Sequence, residues 1–150
     1  YYVEKIMRAK IEKFITGYLE RKFVPVLKSG SGFMLLSSPD YPQEKGCARF
    51  FPFGYDDHLS IWPRWKLMHA VVNLWVASDC GRRHTHKGWS ISIVLSGNAI
   101  EDRSYMRRQL RPGSIVIRGP SVLHRFIVPE GKVAWTLFIY GRRKHEQIWV

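Results

Sequence analysis

Cysteine is scarce in this chain of 150 residues: Cys47 and Cys80 are the only two. Two cysteines are too few for a disulfide scaffold, and their spacing is unlike that of a zinc ribbon. Such usage fits a reducing, cytoplasmic compartment. Long apolar runs are missing as well. The longest candidate, Ala70 to Ala77, is interrupted by Asn73, so no segment reads as membrane-spanning and no membrane partner is expected. There is no internal repeat and no low-complexity tract. With 45% hydrophobic and 14% aromatic residues, the composition excludes an intrinsically disordered chain. Acidic residues are also few, 12 Asp/Glu against 24 Lys/Arg, for a formal net charge of +12. The excess is uneven, because residues 76–150 carry 13 Lys/Arg against 5 Asp/Glu. A basic balance raises the local concentration of anions, whether small carboxylates and phosphates or nucleic acid, although scattered surface arginines also serve solubility alone.

The length suits one structural domain. From Val3 to Leu19, the apolar residues Val3, Ile6, Met7, Phe14, Ile15 and Tyr18 recur at three- and four-residue steps between charged ones. This predicts an amphipathic helix over residues 1–20, packed on the outside of the fold, with Gly17 near its end. Residues 21–66 turn to Pro, Gly, Ser and short apolar runs, which read as lead-in loops and edge strands. Over residues 67–150, short β-rich segments follow closely: Leu67 to Val76, Ser90 to Leu95, Ser114 to Arg118, His124 to Val128 and Val133 to Tyr140. Turn signals at Gly97-Asn98, Pro112-Gly113, Gly119-Pro120 and Pro129-Glu130-Gly131 separate them. The spacing predicts an all-β sandwich or barrel.

The sharpest local feature is Arg82-Arg83-His84-Thr85-His86, just before the segment Ser90 to Leu95. In an extended chain, residues two apart project to one side, so His84 and His86 can present both imidazoles to one point. Taken alone, an H-x-H pair also fits a polar strand end.

The wider pattern resembles the cupin superfamily. His84 and His86 match the paired histidines of the first cupin motif, and Gly97 falls at that motif's glycine. Ser90 takes the place of the motif's Glu. Leu110-Arg111-Pro112-Gly113 matches the start of the second motif, with His124 eleven residues after Gly113. The intervening Pro-x-Gly order is not kept, and Val128 stands where the family often has Asn. The resemblance spans residues 67 to 141. It implies a jelly-roll β-barrel holding one divalent metal ion on His84, His86 and His124. With the Glu replaced, the implied ligand set is three neutral imidazoles with open positions, as in the thiol dioxygenases, which use ferrous iron. Fe(II) is therefore favoured, while imidazole equally suits zinc, nickel and copper.

In such sites an arginine commonly clamps a substrate carboxylate. Arg82, Arg83, Arg118 and Arg125 lie near the ligands in sequence. Strand parity turns Arg125 away from His124, and Arg118 is the candidate chosen, against a plain reading of each arginine as a solvated strand edge. Ser90, Trp89 and Tyr140 are further candidates for a substrate wall, with Trp135 beside them, although core packing accounts equally well for the aromatics. Cys80, four residues before His84, can be read as a fourth ligand or simply as a buried thiol. Glu101, after Gly97, can be read as an acid or base, but reads better as a surface residue. His58, His69 and His145 fit no ligand spacing.

Two functions follow. One is a mononuclear metal-dependent oxygenase, thiol dioxygenase-like, acting on a small anionic metabolite. The other is a non-catalytic cupin that binds a small ligand or serves as an interaction module. The basic cluster Arg142-Arg143-Lys144-His145, with 6 Trp and 7 Tyr in the chain, also admits nucleic-acid binding. The apolar positions Ile91, Ile93 and Leu95 need covering, by the helix or by a second copy in a homodimer.

Overall fold

The computed structural model describes residues 2–29, 33–37, 45–51, 68–78, 82–141, 148 and 150. Cys80, His58 and the basic cluster at 142–145 lie outside them.

Helix α1 (Tyr2–Ser29) is longer than the sequence pattern predicts, running through both Gly17 and Pro25. Its buried contacts explain the extension. Ile15, Leu19, Phe23 and Leu27 recur at four-residue steps and pack on Phe50, Val72 and Trp135. Burying Leu19 and Phe23 is worth about 2–3 kcal/mol each, close to what an interior proline costs a helix. The first part of region 21–66 is therefore helix rather than loop. Of the apolar residues expected to face the barrel, Ile15 does so. Ile6, Met7, Phe14 and Tyr18 are exposed, Phe14 by 70%. Among the described residues, the contacts of α1 with the sheet run from Glu12 onward.

Among the described residues nine strands follow in chain order: β1 (Phe33–Ser37), β2 (Lys45–Phe50), β3 (Met68–Trp75), β4 (Ser90–Gly97), β5 (Ala99–Arg103), β6 (Arg107–Leu110), β7 (Ile115–Arg118), β8 (His124–Ile127) and β9 (Ala134–Gly141). They form a six-stranded sheet, ordered β1-β2-β3-β9-β4-β7, and a three-stranded sheet, ordered β6-β5-β8. All pairings are antiparallel. The large sheet lies between two layers. Its outer face carries α1, and its inner face meets the small sheet through Val94, Val116, Ala134, Ala99, Leu110, Phe126 and Val128. This is the arrangement of an all-β jelly roll with an N-terminal helix.

Alternation along β4 sets the faces. Ser90, Ser92 and Val94 point inward and Ile91 and Ile93 outward, and a bulge between Val94 and Ser96 then turns Ser96 toward α1. Leu95 is covered by α1. Gly97 ends the strand at φ 79°, where an added Cβ would collide with the Val133 carbonyl, so this turn requires glycine. Its N–H donates to Glu12 Oε1 of the helix at 3.1 Å, and Thr16 is hydrogen-bonded to Ser96 nearby.

Candidate metal centre

His84 and His124 are brought together by backbone pairing. The His84 N–H donates to the His124 carbonyl at 2.8 Å, and the His124 N–H donates back at 3.0 Å. His86, two residues along an extended segment, turns its ring to the same point. Ring centroids lie 5.2 Å apart for His84 and His86, 4.7 Å for His84 and His124, and 4.8 Å for His86 and His124. One nitrogen from each ring lies within 4.8 Å of the other two, which is the donor set of a metal centre. His124 Nδ1 faces the Val122 carbonyl at 3.3 Å, which directs Nε2 toward the cluster.

Burial lowers the His84 pKa to about 4, helped by the charge of Arg118. Burial lowers that of His86 to about 3, with His84, Arg118 and Arg49 contributing. His124 is lowered by burial, then by Arg118 and the other two rings. All three imidazoles are therefore neutral at pH 7, the form that ligates a metal. The donor set fits a divalent ion of intermediate softness, and the cluster includes no carboxylate among the described residues.

The surrounding wall follows from strand register. His69 on β3, Tyr140 on β9, Ser90 on β4 and Arg118 on β7 form one inward row. Val71, Phe138, Ser92 and Val116 form the next. Ser90, standing where the motif has Glu, is fully buried, and its hydroxyl has no hydrogen-bond partner among the described residues. Tyr140 stacks between His69 and Phe138, and Phe138 packs against His86. Trp89 does not join this wall. It is 38% exposed and lies against Gly141, on the opposite side of the chain from Ser90. Trp135 is a core residue beneath α1, stacked near Phe23 and Phe50.

Arg118 is only 2% exposed rather than a solvated edge residue. It donates to Glu101 Oε1 at 2.6 Å and to Ser92 Oγ at 2.7 Å, tying the two sheets together beside the histidines. Glu101 corrects the sequence reading. It is 1% exposed, points inward from β5, and also receives Arg103. Arg83 and Arg125 face away from the centre, and both donate to Asp102.

Arg49 was not anticipated. It lies on β2, donates to Asn73 Oδ1 at 3.0 Å, and holds its guanidinium 5.6 Å from the Phe138 ring centre. Its charge reaches His86. The alternation Cys47-Ala48-Arg49-Phe50 was the available signal. His69, which fits no ligand spacing, is placed on the inner wall by its pairing with Tyr140.

No protein-family model matches the sequence, and no curated protein matches it. Solved structures do share its fold. The lyase DddQ, described as a DMSP lyase, from Ruegeria pomeroyi superposes with a TM-score of 0.57 at 16% identity, covering 80% of this chain and 61% of that one. A cupin-like protein from Thermotoga maritima gives 0.53 at 18% identity, covering 69% and 75%. A sugar phosphate isomerase from a cupin superfamily, from Silicibacter pomeroyi, gives 0.53 at 12%, covering 73% and 68%. At these identities the likeness is one of fold. This chain therefore has the cupin fold. Within that fold it carries a three-histidine cluster able to hold a metal ion.

Proposed function

We propose that this chain is a mononuclear metal-dependent enzyme, an Fe(II) oxygenase resembling the thiol dioxygenases, acting on a small anionic metabolite. The observation that carries the reading is the pairing of three clustered, neutral imidazoles, those of His84 and His124 buried, with two arginines, Arg118 and Arg49, whose charges reach the ligands. A ferrous ion held there supplies Lewis acidity and reaction with O2.

The chain's own residues have separate tasks. His84, His86 and His124 hold the ion. Arg49 and Arg118 make the cavity attractive to an anion, with Arg118 held in place by Glu101 and Ser92. Ser90 and Tyr140 offer hydroxyls along the wall next to Arg118. Phe138 shields His86 from water. Trp89, from its outward position, serves the fold rather than the substrate.

Elemental analysis of purified protein, with His84→Ala and His124→Ala alongside, tests the centre. Near-stoichiometric iron in the wild type and its loss in both variants is expected. Oxygen consumption that requires Fe(II) and a carboxylate-bearing thiol or similar small anion then tests the chemistry. Turnover without oxygen would move the reading toward a lyase or isomerase, the activities described for DddQ and the Silicibacter protein. Metal binding with no turnover of any small anion would leave a ligand-binding cupin, which the engagement of Arg118 by Glu101 and Ser92 also fits.

A further inference from the structure

The segment that carries His84 is paired on both sides. On one side, His84 exchanges two backbone hydrogen bonds with His124. On the other, its neighbours bond to residues 148 and 150. The Arg83 N–H donates to the Val150 carbonyl at 2.9 Å, and the Val150 N–H donates to the Arg83 carbonyl at 2.8 Å. The Thr85 N–H donates to the Ile148 carbonyl at 2.9 Å. The Ile148 N–H donates to the Thr85 hydroxyl, also at 2.9 Å. Residues 83–85 thus behave as an inner strand between β8 on one side and Ile148 and Val150 on the other. Without the latter, this ligand-bearing segment would be an edge held to β8 through His84 alone.

The side chains do little of this holding. Ile148 is 58% exposed and Val150 67%, so neither buries much apolar surface, whereas Thr85 is buried between the two ligands His84 and His86. What Ile148 and Val150 contribute is backbone donors and acceptors. We infer that Ile148 and Val150, with the Thr85 hydroxyl, form a backbone strap that positions His84 and His86 and sets how tightly the centre holds its ion. The inference rests on the metal-centre reading above. These are positioning residues: none of them touches the ion or a substrate. Groups that orient a ligand typically change metal affinity 10- to 100-fold when removed.

The test compares substitutions that break the bonds with substitutions that keep them. Val150→Pro removes the N–H that meets Arg83, and Thr85→Val removes the acceptor for Ile148. Val150→Ala and Thr85→Ser retain both. Co(II) affinity is measured by competition with a chromophoric chelator, together with the Co(II) absorption spectrum and the melting temperature of each metal-free protein. Val150→Pro and Thr85→Val are expected to bind Co(II) about tenfold more weakly or worse, with an altered spectrum. Val150→Ala and Thr85→Ser should stay within about twofold of wild type, by the same reasoning. Amide exchange at Arg83 and Thr85 should accelerate in Val150→Pro. Wild-type affinity and spectrum in both bond-breaking variants would overturn the strap while leaving the centre intact. Absence of Co(II) binding by the wild type would instead overturn the centre, and the strap's role with it. Equal losses in Val150→Ala and Val150→Pro would show that side-chain packing, not the backbone ladder, is responsible, and would also refute the inference.

Discussion

With no metal bound, lowering the pH from 7 toward 4.5 should remove much of this protein's stability. In the unfolded chain, a histidine takes up its proton near pH 6.5. In the folded chain, His84 does so at about 4 and His86 at about 3, and His124 is lowered too. As pH falls below 6.5, the unfolded state binds protons that the folded state refuses, so stability is lost until the folded-state values are reached. Each such histidine removes about 1.4 kcal/mol per pH unit, so three together give a slope of roughly 4 kcal/mol per unit near pH 5.5. Between pH 7 and 4.5 the loss totals about 7 kcal/mol, comparable with the whole stability of an ordinary domain. Asp102 titrates outside this window. Burial raises its pKa, but hydrogen bonds from Arg125 and Arg83 bring it net below the usual value, so its contribution is lost at still lower pH. The assay is urea denaturation of chelator-treated protein at half-unit pH steps, followed by tryptophan fluorescence. A bound ion favours the folded state, so metal-loaded protein should hold its stability to lower pH. A stability constant within about 1 kcal/mol from pH 7 to 5 would refute the reasoning, since one shifted histidine alone exceeds that. So would an unchanged slope in a variant with all three histidines replaced by glutamine.

Three further outcomes follow from the packing. Glu101→Gln leaves Arg118 buried without its counter-charge and should cost about 3–5 kcal/mol in urea denaturation, with part of the loss recovered in Glu101→Gln/Arg118→Met. Gly97→Ala forces a side chain into a left-handed position against the Val133 carbonyl. It should lower stability by about 2 kcal/mol or more, and a near-neutral result would remove the steric argument. Trp135→Ala empties the space shared with Phe23 and Phe50 beneath α1, and the expected loss is about 3–5 kcal/mol. Far-UV circular dichroism should show helix signal fading before sheet signal in that variant.

Much of the inner barrel was legible from spacing. The H-x-H pair follows strand geometry directly, whereas Gly97 and the Gly113-to-His124 interval were legible only through the resemblance to the cupin motifs; the three histidines do come together. Strands β5 and β6, with sequences AIEDR and RRQL, were not legible, because charged residues there mask the alternation. Burial of Glu101 depends on Arg118, a partner on a different sheet, and no local window contains that pairing. Arg49 lies in a stretch read as loops and edge strands, and what that reading lacked is its partner: only the pairing of β2 with β3 sets Arg49 opposite Asn73. The helix end was misplaced for a related reason. Gly17 and Pro25 are local stop signals, and the contacts of Leu19, Phe23 and Leu27 with the sheet outweigh them.

The direct pairing of His84 with His124 also bears on how such a chain tolerates change. Two of the three ligands are neighbours across a ladder, so their separation is fixed by hydrogen-bond length rather than by the path of the intervening chain. Turns between β5 and β6, or around Pro112-Gly113, can lengthen or change sequence without moving one imidazole relative to the other. The rim of such a scaffold is thus free to change while the spacing of these two imidazoles is kept.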